Sequence, residues 1–143
     1  MHHALSNSHF SHILKFLNMA YDEFMAERVR RVFKENKVVF YEKKMFAGLC
    51  FMVDDKMCCG IHFDKKKETD LLMARIGSEA YEKSKDRTGC HPMDFTGRPM
   101  KDYAFITPDG YDSDEDLEYW LEAALAFNPF AKASKKRKKK SES

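Results

Sequence analysis

The chain has 143 residues, 43% hydrophobic and 34% charged, the make-up of one globular domain with tails. No apolar run approaches the ~18 residues of a membrane span, so membrane-spanning, collagen-like, mucin-like and rod-like readings are excluded. The net charge of +2 is uneven: seven of 25 basic residues but one of 23 acidic ones fall in the last thirteen, leaving residues 1–130 at −4, with no basic globular face as the overall signature of a nucleic-acid binder.

The first eighteen residues, MHHALSNSHFSHILKFLN, hold four of the six histidines (His2, His3, His9, His12) and lack the apolar core of a signal peptide. Their spacing matches no standard metal site. Residues 1–18 are expected to be a disordered leader, with the domain over 19–130.

From Tyr21 the apolar residues Tyr21, Phe24, Met25, Val29, Val32 and Phe33 recur at helical spacing. Glu23, Glu27, Arg28, Arg30 and Arg31 fill the gaps, which predicts an amphipathic helix to about Lys34, with Asn36 as its stop. Strand signals follow over Val38–Tyr41 and Met45–Val53, and Lys56–Phe63 answers across Asp54-Asp55, a two-residue turn. If Val53 pairs with Lys56, a regular ladder sets Phe51 against Cys58 and Cys50 against Cys59. Met45–Val53 is apolar on both faces and needs cover on both, from helices on one side and a partner subunit or another helix on the other.

Asp64–Asp70 reads as a charged loop and Leu71–Ile76 as a strand. Gly77-Ser78 opens a short helix to about Lys83, with Ser78 as candidate N-cap. Lys85–Gly97 is expected to be irregular, Pro99–Thr107 to be the last strand, and Pro108-Asp109-Gly110 its closing turn. In the last helix Ser113 is the cap, and Asp114, Glu115 and Asp116 suit the positive end of the dipole. Leu117, Trp120, Leu121, Ala124 and Leu125 make its apolar stripe, and Pro129 ends it. The fold class is α+β, an antiparallel sheet flanked by helices in the order α-β-β-β-β-α-β-α.

Four cysteines, Cys50, Cys58, Cys59 and Cys90, read as reduced, packed thiols of a cytoplasmic protein. Adjacent Cys58 and Cys59 would point to opposite faces of a strand, and the Cys-x₂₋₄-Cys pairs of structural zinc are missing. Cys90-His91 is a weak nucleophile pair, because neighbouring side chains rarely converge. Among the nine methionines, Met45, Met52, Met57, Met73, Met93 and Met100 flank strands, where core packing is the plainer reading and an adaptable contact face the sharper one.

The stretch Asp94-Phe95-Thr96-Gly97-Arg98-Pro99-Met100-Lys101 gathers more chemistry than any other. Arg98 can clamp a carboxylate or phosphate, Lys101 adds a point charge, and Asp94 and Arg75 can join them. The plainer reading is a structural turn in which Asp94 accepts backbone bonds. The basic tail, residues 131–143 with Lys135, Lys136, Arg137, Lys138, Lys139 and Lys140, is expected to be disordered. It either solvates the chain or binds nucleic acid weakly through counterion release, without sequence selectivity.

Five colinear stretches carry a resemblance: MAYDEFMAERVRRVF (19–33), KKMFAGLCFMVDDKMCCGI (43–61), LLMARIGSEAYE (71–82), HPMDFTGRPMKDYAFITPDG (91–110) and DLEYWLEAALAF (116–127). Together they resemble the TfoX/Sxy N-terminal domain family, with PMDFTGRPMK the most specific piece. The resemblance implies a single-domain member with an α+β fold similar to secretion chaperones and prone to dimers. It further implies a non-enzymatic regulator that works through a protein partner, as part of proteins acting upstream of transcription of competence genes. Neither cofactor nor metal is expected. The alternative is a binding module for a small anion or nucleic acid, using Arg98, Lys101 and the tail.

Overall fold

The structure, a computed structural model, describes residues 22–45, 48–93 and 102–132. The leader, residues 133–143 of the basic tail and the expected contacts Asp94, Arg98 and Lys101 lie outside the described residues.

Helix α1 (Glu23–Glu35) starts at Asp22, whose carboxylate accepts the Phe24 N–H, and stops at Asn36, whose backbone N–H returns to Val32 O. Strands β1 (Tyr41–Met45), β2 (Gly48–Val53), β3 (Lys56–Asp64) and β4 (Thr69–Arg75) follow, then helix α2 (Ser78–Ser84). Next come β5 (Cys90–Pro92), β6 (Tyr103–Ile106), α3 (Pro108–Tyr111) and α4 (Asp114–Phe127), with a 3-10 turn over Asn128–Phe130. The sheet is antiparallel throughout, in the order β1-β2-β3-β4-β6-β5.

The expected order holds in outline, with local corrections. The first strand lies at Tyr41–Met45 rather than Val38–Tyr41, because Val38 and Phe40 pack against the core from the connection out of α1. β5 forms inside the segment expected to be irregular, where His91 pairs with Phe105. The Pro108-Asp109-Gly110 turn is a turn of helix, with proline at its start. Ser78 is not the N-cap of α2. Gly77 holds that place at φ 88°, and a Cβ there would lie 2.7 Å from Phe127 Cε1, so glycine is required on two counts. Within α1, Phe24 points to solvent while Arg28 is buried, the reverse of the expected pattern.

Asp54 and Asp55 adopt φ of 55° and 63°, the left-handed pair of a tight two-residue hairpin turn. Val53 pairs with Lys56 as expected, but Phe51 then faces Cys59, and Cys50 faces Gly60. Cys58 is the extra residue of a β-bulge. The bulge leaves Cys58 and Cys59 in the same core cluster, which corrects the expectation that they face opposite ways.

Leu49, Phe51, Cys59, Ile61, Leu72, Ala74, Ala104 and Ile106 line one sheet face, against which Val29 and Phe33 of α1 and Leu117, Trp120 and Leu121 of α4 pack. Phe33, Phe40 and Phe51 interlock with ring centroids 5.3–5.9 Å apart. The opposite face gathers Cys50, Met52, Met57, Met73 and Met93 into a second buried cluster, with Met45, Tyr103 and Phe105 beside it. Among the described residues no helix is long and apolar enough to cross a membrane.

The helices are pinned where α3 meets α4. Arg28 Nη2 donates to Tyr111 O (3.1 Å), Asp112 O (3.0 Å) and Asp114 Oδ1 (3.3 Å). Trp120 Nε1 donates to Gly110 O at 3.1 Å, and Tyr111 OH donates to Asp70 O at 2.9 Å. Replacing Arg28 by Met strips the buried Tyr111 carbonyl and the partly buried Asp112 carbonyl of their donor, so Arg28→Met is expected to cost about 2–3 kcal/mol in urea unfolding. An unchanged urea midpoint would mean that the clamp adds nothing to stability.

Candidate functional site

Of the four residues expected to make contacts, Arg75 is the one the described residues include. It ends β4 opposite Tyr103 of β6, with its Cζ 5.3 Å from the centre of the Tyr103 ring. Its Nη2 donates to Lys132 O at 3.3 Å, and its buried Nε meets no hydrogen-bond partner among the described residues. Burial raises the Tyr103 phenol, and the Arg75 charge opposes the rise.

The same end of the sheet holds both roots of the 94–101 segment. Pro92 pairs with Ala104, and Asp102 O accepts the Ile76 and Gly77 N–H groups at 2.9 Å each. Arg75 therefore stands beside the points where that segment leaves and rejoins the sheet. Asp94, Arg98 and Lys101 fall within the segment itself, and the cations Lys135, Lys136, Arg137, Lys138, Lys139 and Lys140 fall beyond Lys132.

The thiols are all free, with Cys50, Cys58 and Cys59 buried and Cys90 partly so. Burial pushes Cys50 up to about 11, against the pull of Lys43, which pairs with it across β1 and β2. Cys59 is raised well above its usual value, first by burial and then by its hydrogen bond with Cys58. Cys90 is raised by burial, with Arg87 opposing. Such thiols are protonated at neutral pH and are poor nucleophiles. Cys90 pairs with Ile106 and His91 with Phe105, so the two neighbours alternate along β5 rather than converge. Cys50 and Cys59, set opposite each other by a regular ladder, instead belong to clusters on opposite sheet faces. Among the described residues no group of three or more His, Cys, Asp or Glu side chains could hold a metal ion.

Three charged arrangements escaped the sequence reading. Arg30 reaches Glu23 and Glu27 on its own helix and Glu42 on β1, each at 2.7 Å, and holds the Glu42 carboxyl below its usual range. Helical spacing announced the first two; Glu42 needed the sheet. Arg87 lies 3.6 Å over the Tyr119 ring and 3.3 Å from Asp116, in the wall of a hollow of about 290 Å³ that Asp86, Thr88 and Gly110 also line. A groove of about 120 Å³ between α1 and α4 is lined by Arg28, Arg31, Glu35, Asp114 and Glu118. Arg28 and Arg87 are committed to bonds within the fold, which leaves both hollows without a free convergent pair of cations.

Among the described residues a six-stranded antiparallel sheet with α1 and α4 packed on one face defines an α+β domain. Residues 39–128 match the family described as the TfoX N-terminal domain, and the chain belongs to that family. The match begins after α1 and runs through α4. No curated protein matches the sequence closely enough to add to this.

The buried acids set a pH dependence. A thiol or phenol whose folded value is raised favours the neutral form, so its contribution is complete below its unfolded value and is lost as pH rises through the folded one. For Cys50 that window runs from about 9 to about 11, and the raised Tyr111 phenol adds to the same loss. Urea midpoints are expected to hold from neutral pH to about 9 and to fall above it. In the native protein Cys90 is expected to alkylate first at neutral pH, slowly, with Cys50, Cys58 and Cys59 labelled on unfolding. Fast labelling of any thiol, read by peptide mass spectrometry, would contradict this.

Proposed function

We propose that the chain is a non-enzymatic, cytoplasmic interaction domain that acts through protein–protein contacts in transcriptional regulation. The observation that carries the reading is its membership of the TfoX N-terminal family, whose competence regulators act upstream of transcription. Two further features support a contact surface at one margin of the sheet. Among the described residues β1 is an edge strand paired with β2, and its Glu42, Lys43 and Lys44 are exposed, which suits the addition of another strand. Val39, just before it, is 89% exposed, the most exposed large apolar side chain among the described residues. A partner strand or a second copy of this chain fits such an edge, and no membrane contact is part of the reading.

A photo-crosslinking residue at Val39 in cells is expected to give a discrete protein adduct that the same residue at exposed Glu79 of α2 does not. Equal yields at both positions would count against the β1 edge. The alternative, an anion or nucleic-acid module, draws its support from the charge of the tail. Full-length chain and a variant with Lys135, Lys136, Arg137, Lys138, Lys139 and Lys140 changed to Gln are to be compared on duplex DNA from low to high salt. The regulatory reading expects weak binding by the unaltered chain that disappears with the six cations and with salt. Salt-resistant binding by the neutralised variant would move nucleic-acid recognition into the domain and favour the alternative.

A further inference from the structure

On the sheet face opposite the described helices, Cys50, Met57 and Met73, sulfur-bearing side chains of three neighbouring strands, gather in one buried cluster around Gly60. Cys50 of β2 pairs with Gly60 of β3, and Gly60 pairs with Met73 of β4. Because Gly60 has no side chain, the ends of two methionines occupy its place: a Cβ there would lie 2.7 Å from Met73 Cε and 3.3 Å from Met57 Cε. Cys50 Sγ stands 4.0 Å from Met57 Sδ. With metal–sulfur bonds of about 2.3 Å, the sulfurs of a trigonal centre stand ~4.0 Å apart, so this pair is already at ligand spacing. Met52 and Met93 complete a cluster of one thiol and four thioethers.

We propose that Cys50, Met57 and Met73 form a binding site for a single monovalent soft metal ion, Cu(I), on the outer face of the sheet. Thiolate and thioether donors select Cu(I) over the borderline and hard divalent ions. Charge makes the same choice. Binding breaks the Cys50 S–H bond and forms a copper–thiolate bond, one proton leaves to solvent, and no electron is transferred. One thiolate and one monovalent ion cancel, so a neutral complex occupies the buried site, whereas Zn²⁺ would leave a net positive charge there. Burial holds Cys50 as the thiol and Lys43, across from it, opposes that only in part, so the ion itself displaces the proton. Met57 is 8% exposed while Cys50 and Met73 are at 0%, which makes Met57 the entry side. Methionine's unbranched chain lets its sulfur close on the ion without backbone movement.

The test is anaerobic titration of the reduced full chain against the Cu(I)–bicinchoninate complex, with circular dichroism as the check on folding. The unaltered chain is expected to withdraw one Cu(I), and excess Zn²⁺ is expected not to displace it. Cys50→Ser should weaken retention at least tenfold. The double variant Met57→Leu with Met73→Leu, close in volume, should weaken it as well and keeps the test sound if Cys50→Ser unfolds. Cys58→Ala with Cys59→Ala, and Cys90→Ser, should leave stoichiometry and affinity unchanged. The proposal is overturned if the unaltered chain takes no Cu(I), if the Cys50 or methionine variants compete equally well, if Zn²⁺ displaces the ion, or if loss follows Cys58 and Cys59 instead.

Discussion

The arrangement of the helices on the sheet depends on three successive residues, Gly110, Tyr111 and Asp112. Their carbonyls would be stranded at the join of two helices, and their donors come from elsewhere: Trp120 from the next helix and Arg28 from the first. Tyr111 reverses the direction, sending its hydroxyl to the backbone of Asp70 in β4. One short connection thus ties α1, α4 and the middle of the sheet together. Buried carbonyls demand partners, and the fold meets that demand with a guanidinium, which can serve several acceptors from one planar group.

What the sequence revealed follows from how local each signal is. Asn36 and Ser113 end and cap their helices within a few residues of themselves, and the last helix was legible from its cap and stripe. The Asp54-Asp55 turn was legible too, because aspartate tolerates the left-handed conformation and two of them between apolar runs suit a tight hairpin. Arg28 was unreadable. An arginine among apolar residues at helical spacing looks like part of a charged face until its acceptors, more than eighty residues on, are known. Phe24 misled for the converse reason, since spacing alone gives the phase of a stripe but not its edges.

The bulge at Cys58 was hidden by the same logic. A two-residue turn implies a regular ladder, and nothing in KMCCGI marks which residue will be left over. The consequence reached past the hairpin, because it moved Cys50 from a cysteine partner to a glycine and so changed the chemistry of the outer face. The candidate contacts fared differently. Arg75 ends β4 beside the points where the 94–101 segment leaves and rejoins the sheet, a placement set by strand pairing rather than by composition.

Cys58 also gives the strand a point of elastic length. On either side of it the pairs Met52–Met57 and Phe51–Cys59 are in step with the turn and with the rest of the sheet. A chain one residue shorter here would close the ladder and keep every later pair, with the same side chains on the same faces. A loss at Gly60 or Ile61 would instead shift whatever follows by one and turn it inside out. Within β3, then, the doubled cysteine is the position where length can drift over generations without disturbing either face of the sheet.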